Sequence, residues 1–85
     1  MEPPLLERVA NWPVPSVVAF GREMVVSKPW DSGVSGYPGE SRETARVVLY
    51  AKVREAPRRV FEMVLAMIAD PGENADWRAF LLEFC

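Results

Sequence analysis

The sequence contains no histidine, and its single cysteine is its last residue, Cys85. Histidine and cysteine side chains supply most zinc ligands and many of the nucleophile and base pairs of hydrolytic enzymes. Their absence argues against a zinc site and against catalysis of this kind, and the acidic residues follow no metal-loop spacing. A single cysteine forms no internal disulfide, which is typical of proteins in a reducing compartment. We therefore expect a non-enzymatic cytoplasmic protein with no metal and no cofactor.

Long apolar runs are also missing. The longest run, Met63 to Ala69, has seven residues, which is far short of the ~20 that a membrane-spanning helix needs. Glu2 and two prolines occupy the N-terminal positions where a secretory signal has basic and then apolar residues. The sequence therefore predicts neither a membrane span nor a secretory signal.

Size and composition indicate one small globular domain. The 85 residues carry a formal net charge of −2, with 49% hydrophobic and 26% charged residues. These proportions are those of an ordinary globular protein, and a chain of this size forms one modest core. No repeat and no change in composition divides the chain, so we expect a single domain over residues 1–85.

Nucleic-acid binding is disfavoured, because it needs an unopposed positive face and this chain has a net negative charge.

The N-terminal part of the chain predicts a short helix followed by a hairpin. The helix runs from Pro4 to Asn11, because prolines suit its first turn and apolar residues recur on one face. The hairpin has strands over Val17–Phe20 and Glu23–Ser27, and valine content and the mid-segment Gly21 favour it. A helix from Ser16 to Ser27 is the alternative, because the apolar residues also follow helical spacing.

The C-terminal part predicts a strand and two helices. Ala45–Val53 alternates as a strand does, and Pro57 begins an amphipathic helix. A helical repeat of aromatic and aliphatic residues predicts a closing helix from Ala75 to Phe84, capped by Asn74, with a strand over 78–84 as the alternative. Together these segments predict an α+β fold, with a small antiparallel sheet of about three strands packed by two C-terminal helices and a short N-terminal helix.

Residues 28–44 have no apolar periodicity and are rich in glycine, serine and proline, which predicts a long loop. Loops of this length in compact domains are usually functional or disordered. We expect partner-binding residues among its large aromatic side chains and the charged residues beside them, because such side chains dominate binding hot spots. These candidates are Trp30, Asp31, Tyr37, Glu40 and Arg42. The alternative is that the two aromatic rings pack onto the sheet and anchor the loop.

A secondary interface is predicted on the helix that begins at Pro57. Arg58 and Arg59 lie in its first turn, and Met63 and Met67 lie one turn apart beside its apolar face. Opposite charges four residues away predict that the arginines are paired on a solvated helix surface. Methionine is common both in cores and at adaptable interfaces. The functional alternatives are an acidic partner on the arginines and a homodimer through the methionines.

These features favour binding of another protein, with occlusion as the mechanism. Arginine outnumbers lysine eight to two and valine outnumbers isoleucine twelve to one, as in GC-rich genomes. Small acidic proteins of this character include phage- or mobile-element-encoded inhibitors of host proteins, among them anti-CRISPR proteins, and regulators; this association rests on general character and on no motif. Two alternatives stay open. One is a homo-oligomeric strand, helix, strand domain that binds a small ligand, and the other is a structural subunit of a larger assembly.

Overall fold

A computed structural model of the chain describes residues 5–27 and 40–85. These residues form five α-helices and no strand: α1 (Leu5–Val9), α2 (Val14–Ser27), α3 (Glu40–Glu55), α4 (Pro57–Ala69) and α5 (Ala75–Phe84). The predicted α+β fold is therefore wrong for the described residues, because both segments assigned to the sheet are helical. The strand, helix, strand unit that one functional alternative requires is not formed by the described residues, because its closing segment lies in the helix α5.

The predicted hairpin is replaced by α2. Its buried residues are Val14, Val17, Val18, Gly21 and Val25, which follow the spacing of one helix face. The valines that favoured strands are therefore core residues of a helix, because burial against neighbouring helices overrides intrinsic β-propensity. The glycine assigned to a turn lies inside this helix, on its buried side.

Proline residues define the start of α2. The carbonyl oxygen of Pro13 accepts hydrogen bonds from the backbone N–H groups of Ser16, at 3.0 Å, and Val17, at 3.2 Å. Pro15 lies in the first turn, where a backbone N–H has no partner within the helix and its loss costs nothing. Pro13 and Pro15 thus favour the start of α2.

The predicted strand Ala45–Val53 lies inside α3, and this helix also includes the last residues assigned to the loop 28–44. Its fully buried positions include Ser41, Ala45, Val48 and Leu49, which follow helical spacing. The alternation that predicted a strand arises because α3 carries apolar residues on more than one face. The apolar residues of this segment therefore fit the period of a strand and the period of a helix at the same time.

The predictions for the last two helices are confirmed. Pro57 lies at the start of α4, and α5 has the predicted bounds, Ala75–Phe84. The Oδ1 atom of Asn74 accepts hydrogen bonds from the backbone N–H groups of Asp76, at 2.9 Å, and Trp77, at 3.1 Å. This is the cap that the sequence predicted, and it satisfies two of the donors that a helix start leaves unpaired.

The core lies between α2, α3, α4 and α5, and the contact between α2 and α3 is the most extensive. The short helix α1 packs against α3. The indole of Trp77 and the ring of Phe80 are stacked, with 5.5 Å between their centroids. The buried apolar side chains are Val9, Val14, Val17, Val18, Val25, Ala45, Val48, Leu49, Val60, Val64, Trp77, Phe80, Leu81 and Phe84.

Candidate functional site

A groove between α1 and the outer face of α3 is the candidate functional site. Its volume is about 360 Å³. The lining residues on α3 follow a helical stripe, three or four residues apart, on a face different from the one that enters the core. Because α3 rises ~1.5 Å per residue, the stripe is about 16 Å long, or three helical turns. The groove is lined by Leu6, Glu43, Arg46, Val47, Tyr50, Ala51 and Arg54.

The apolar side chains of the groove remain open to solvent. Leu6 is 44% exposed, Val47 is 39% exposed and Tyr50 is 46% exposed. The ring of Tyr50 packs against that of Phe84, with 4.6 Å between the centroids, so its position is fixed by the core although its outer part is accessible. The groove therefore presents an ordered apolar surface on one side of α3.

Charged residues lie at the two ends of the groove. Near the start of α3, Arg46 Nη1 donates to Glu43 Oε2 at 2.6 Å, so the charges at this end compensate each other. At the other end, Arg54 is exposed, and it forms no ion pair within residues 5–27 and 40–85. The groove is therefore neutral at its Glu43 end and positive at its Arg54 end.

A buried lysine holds one wall of the groove in place. The side chain of Lys52 is only 4% exposed, and its Nζ donates to the carbonyl oxygen of Ala10 at 3.0 Å. The same Nζ donates to Glu55 Oε2 at 2.8 Å. Ala10 directly follows α1, so this bond joins the end of α1 to α3 and compensates a carbonyl that the helix end leaves unpaired. Lys52 thereby positions the wall to which Leu6 belongs.

The described residues include only two of those predicted to bind a partner, Glu40 and Arg42. Trp30, Asp31 and Tyr37 lie outside the described residues, and Glu40 is the first residue of α3. Arg42 lies in a contact between α3 and α5. Its Nη2 donates to Glu83 Oε2 at 3.0 Å, and its guanidinium carbon lies 5.7 Å from the centroid of the Phe80 ring. Within the described residues, Arg42 is therefore engaged in contacts of the fold itself.

The secondary candidates lie on α4. Arg58 and Arg59 are exposed in its first turn. The ion pairs predicted for them, four residues away, are not formed among the described residues, and Glu55 bonds Lys52 instead. Met63 and Met67 are partly buried and pack against the core. Met67 Sδ accepts a hydrogen bond from Trp77 Nε1 at 3.3 Å, so this methionine satisfies the donor of a buried indole.

Sequence reasoning missed the groove because it assigned α3 as a strand. Read as a helix, the same residues place Val47 and Tyr50 three positions apart, on a face that does not include the buried Ala45, Val48 and Leu49. An apolar stripe on a second face of one helix was therefore a signal within the sequence. Leu6 could not be added to that stripe, because its proximity to α3 depends on tertiary packing.

Comparison with known proteins finds no matching protein family, no matching curated protein and no matching solved structure. No helix in the described part of the chain is both long and apolar enough to cross a membrane. Residues 5–27 and 40–85 contain no group of three or more Cys, Asp or Glu side chains placed to hold a metal ion. Function must therefore be inferred from the groove and its surroundings.

Proposed function

We propose that this protein is a non-enzymatic binding protein that docks a segment of another protein in the groove between α1 and α3, and that it acts by occluding that segment. The observation that carries the proposal is the second apolar face of α3. Val47 and Tyr50, together with Leu6 of α1, keep 39% to 46% of their surface exposed. Apolar side chains gathered on one ordered surface are typical of interaction sites.

The openness of the groove favours a protein segment over a small ligand. Sites for small molecules bury about 70–90% of the ligand surface and are concave on several sides. Here the apolar walls face solvent, so a small molecule would stay largely uncovered. A longer partner segment covers the whole stripe, and a shallow surface of this kind binds its partner through the area of contact.

An amphipathic helix is the partner segment that fits best. Such helices bind apolar grooves through side chains at positions i, i+3 or i+4, and i+7. The stripe from Glu43 to Arg54 extends for about three helical turns, which is long enough to hold these anchor positions, since i to i+7 spans about two turns. The exposed aromatic Tyr50 near its centre is a residue type enriched in binding hot spots.

A mechanism by occlusion agrees with the small size of the protein. Groups such as phage- and mobile-element-encoded inhibitors, including anti-CRISPR-type proteins, and small regulators act by covering a surface that another molecule needs. This class remains our proposal for the protein, based on its size, composition and lack of histidine. Trp30 and Tyr37 remain candidates for additional contacts, since only two residues separate Tyr37 from the start of α3 in the sequence.

The test is photo-crosslinking in cells of the source organism, with a photoreactive phenylalanine analogue in place of Tyr50. A matched control carries the same analogue in place of Leu65, an exposed residue of α4 at 58% exposure. We expect one protein to be crosslinked from position 50 and not from position 65. A second substitution, Val47→Asp, puts a charge into the apolar contact and should weaken this crosslink at least about tenfold.

Folding of each variant is checked by circular dichroism and thermal unfolding, because a partly unfolded chain would lose partners without bearing on the groove. Equal crosslinking from both positions, or no change with Val47→Asp in a folded chain, would refute the proposed site. Loss of the partner with Trp30→Ala/Tyr37→Ala alone would move the binding surface to residues 28–39. A crosslink to a second copy of this chain would replace the heterologous partner with a homodimer.

A further inference from the structure

We infer that the docked helix is acidic at one end and that Arg54, Arg58 and Arg59 bind its carboxylates. This inference rests on the proposed function and specifies the chemistry of the partner. The three residues are called the arginine cluster below. Arg54 lines the end of the groove, and a single residue, Ala56, separates α3 from α4, so that Arg58 and Arg59 follow closely.

The arginine cluster differs from the other basic residues that the structure describes, because its members have no partner in the described part of the chain. Arg22 bonds Glu73, Arg42 bonds Glu83 and Arg46 bonds Glu43. The other basic side chains with described contacts are Lys52, which bonds Glu55, Arg78, which bonds the carbonyl of Asp70, and Arg8, which has an interaction of its own. Arg54, Arg58 and Arg59 are exposed and make no such contact. Unpaired guanidinium groups are therefore concentrated in the segment that runs from the groove end, at Arg54, into the first turn of α4.

The acidic residues nearest in sequence do not compensate this charge. Glu55 is bonded to Lys52 Nζ at 2.8 Å. Glu62 lies one turn beyond Arg58 on α4, and no ion pair joins the two side chains within the described residues. The first turn of α4 contains no acidic residue and its start has no side-chain cap. Cations at a helix start oppose the helix dipole, so this arrangement does not favour the stability of α4.

Charge complementarity determines which helix fits and how it lies. Guanidinium groups bind carboxylates through paired hydrogen bonds, so Asp or Glu residues of the partner are expected opposite the arginine cluster. Acidic residues are favourable in the first turn of a helix. The N-terminal end of the partner helix therefore lies at the Arg54 end of the groove. Because Arg54 is near the C-terminal end of α3, the two helices are antiparallel.

The experiment uses a displayed library of helix-forming peptides of about three turns. Every position that is exposed on the free peptide helix is randomised, and peptides that bind the full chain are selected. We expect the selected peptides to carry apolar residues at i, i+3 or i+4, and i+7, and at least two acidic residues in their first turn. Affinities are then measured for the intact chain, for Val47→Asp and for Arg54→Glu/Arg58→Glu/Arg59→Glu. Each charge-reversed residue is exposed, and circular dichroism checks that the variant is folded.

The charge-reversed variant should bind the selected peptides at least tenfold more weakly, and the loss should shrink as salt concentration rises. Peptides with lysines in place of the acidic residues should recover binding to that variant. No such recovery is expected if the substitutions had only damaged the groove. If the selected peptides lack acidic residues, or if charge reversal leaves their affinity unchanged, this inference is refuted. The proposed function still stands in that case, provided that Val47→Asp abolishes binding of the peptides.

Two other results would have a different meaning. If no peptide is selected, or if Val47→Asp leaves the affinity of the selected peptides unchanged, the proposed docking groove itself is refuted. A short DNA duplex serves as a counter-probe for the same three arginines. If it binds more tightly than the peptides and is released steeply by salt, the arginine cluster binds phosphates and the acidic-helix assignment is wrong.

Discussion

The substitution Gly21→Ala tests the fold through the sign of its effect on stability. An ideal Cβ at position 21 would lie 3.4 Å from Leu49 Cδ1 and 3.6 Å from Trp77 Cη2, which is close but ordinary van der Waals contact. Alanine is favoured over glycine inside a helix by about 1 kcal/mol. We therefore expect the free energy of unfolding to rise by about 0.5–1 kcal/mol, which corresponds to a melting temperature about 2–8 °C higher.

The matched control is Gly21→Val. Its two additional methyl groups extend beyond the Cβ into the space held by Leu49 and Trp77, and overpacking of this kind costs about 1–3 kcal/mol. Urea and thermal unfolding, followed by circular dichroism and by tryptophan fluorescence, measure both variants. A clear loss of stability in Gly21→Ala would contradict the helix, because a glycine in a type II′ hairpin turn needs a positive φ that alanine adopts poorly.

The remaining predictions concern the turn between α4 and α5. Asn74→Ala removes the cap of α5 and should lower the free energy of unfolding by about 1 kcal/mol. Asn74→Asp keeps a capping oxygen and should retain most of that stability. Equal losses of stability in the two variants would contradict the capping role. The backbone N–H of Asn74 and the guanidinium of Arg22 hold the pKa of the Glu73 carboxyl below its ordinary value. A lowered pKa stabilises the fold fully above the ordinary glutamate pKa, near 4.3, and this contribution is lost as pH falls through the lower folded-state value. Unfolding curves from about pH 6 to pH 3 should therefore show the stability difference between the intact chain and Glu73→Gln shrinking with acid; a difference independent of pH would contradict it.

Local signals were sufficient for α4 and α5. A proline at the start of α4, an amphipathic period and the Asn74 cap all act within a few residues, and they agree with one another. The same kind of reasoning was wrong for α2 and α3, because valine-rich segments satisfy helical and strand periods together. Their intrinsic preference for strands is small compared with the free energy of burying a helix face.

The candidate site was less predictable than the helices. The segment with Trp30 and Tyr37 was chosen for its composition, and these residues lie outside the described part of the chain. Arg42 was predicted to contact a partner, yet in the fold it bonds Glu83 on α5. The basic concentration around Arg58 was recognised in the sequence, but its ion pairs were predicted by spacing alone, and spacing does not fix side-chain rotamers on an exposed helix.

The sequence by itself determined the last two helices, with Pro57 at the start of α4 and the Asn74 cap of α5. It also determined the scarcity of side chains for metal binding or histidine-based catalysis. Tertiary structure decided that α2 and α3 are helices, since burial selects between two periods that the residues satisfy equally. It also decided the groove. Leu6 lines the groove with Val47 and Tyr50 because α1 packs against α3 and Lys52 bonds the carbonyl of Ala10. Packing between such distant positions leaves no periodic pattern in the sequence.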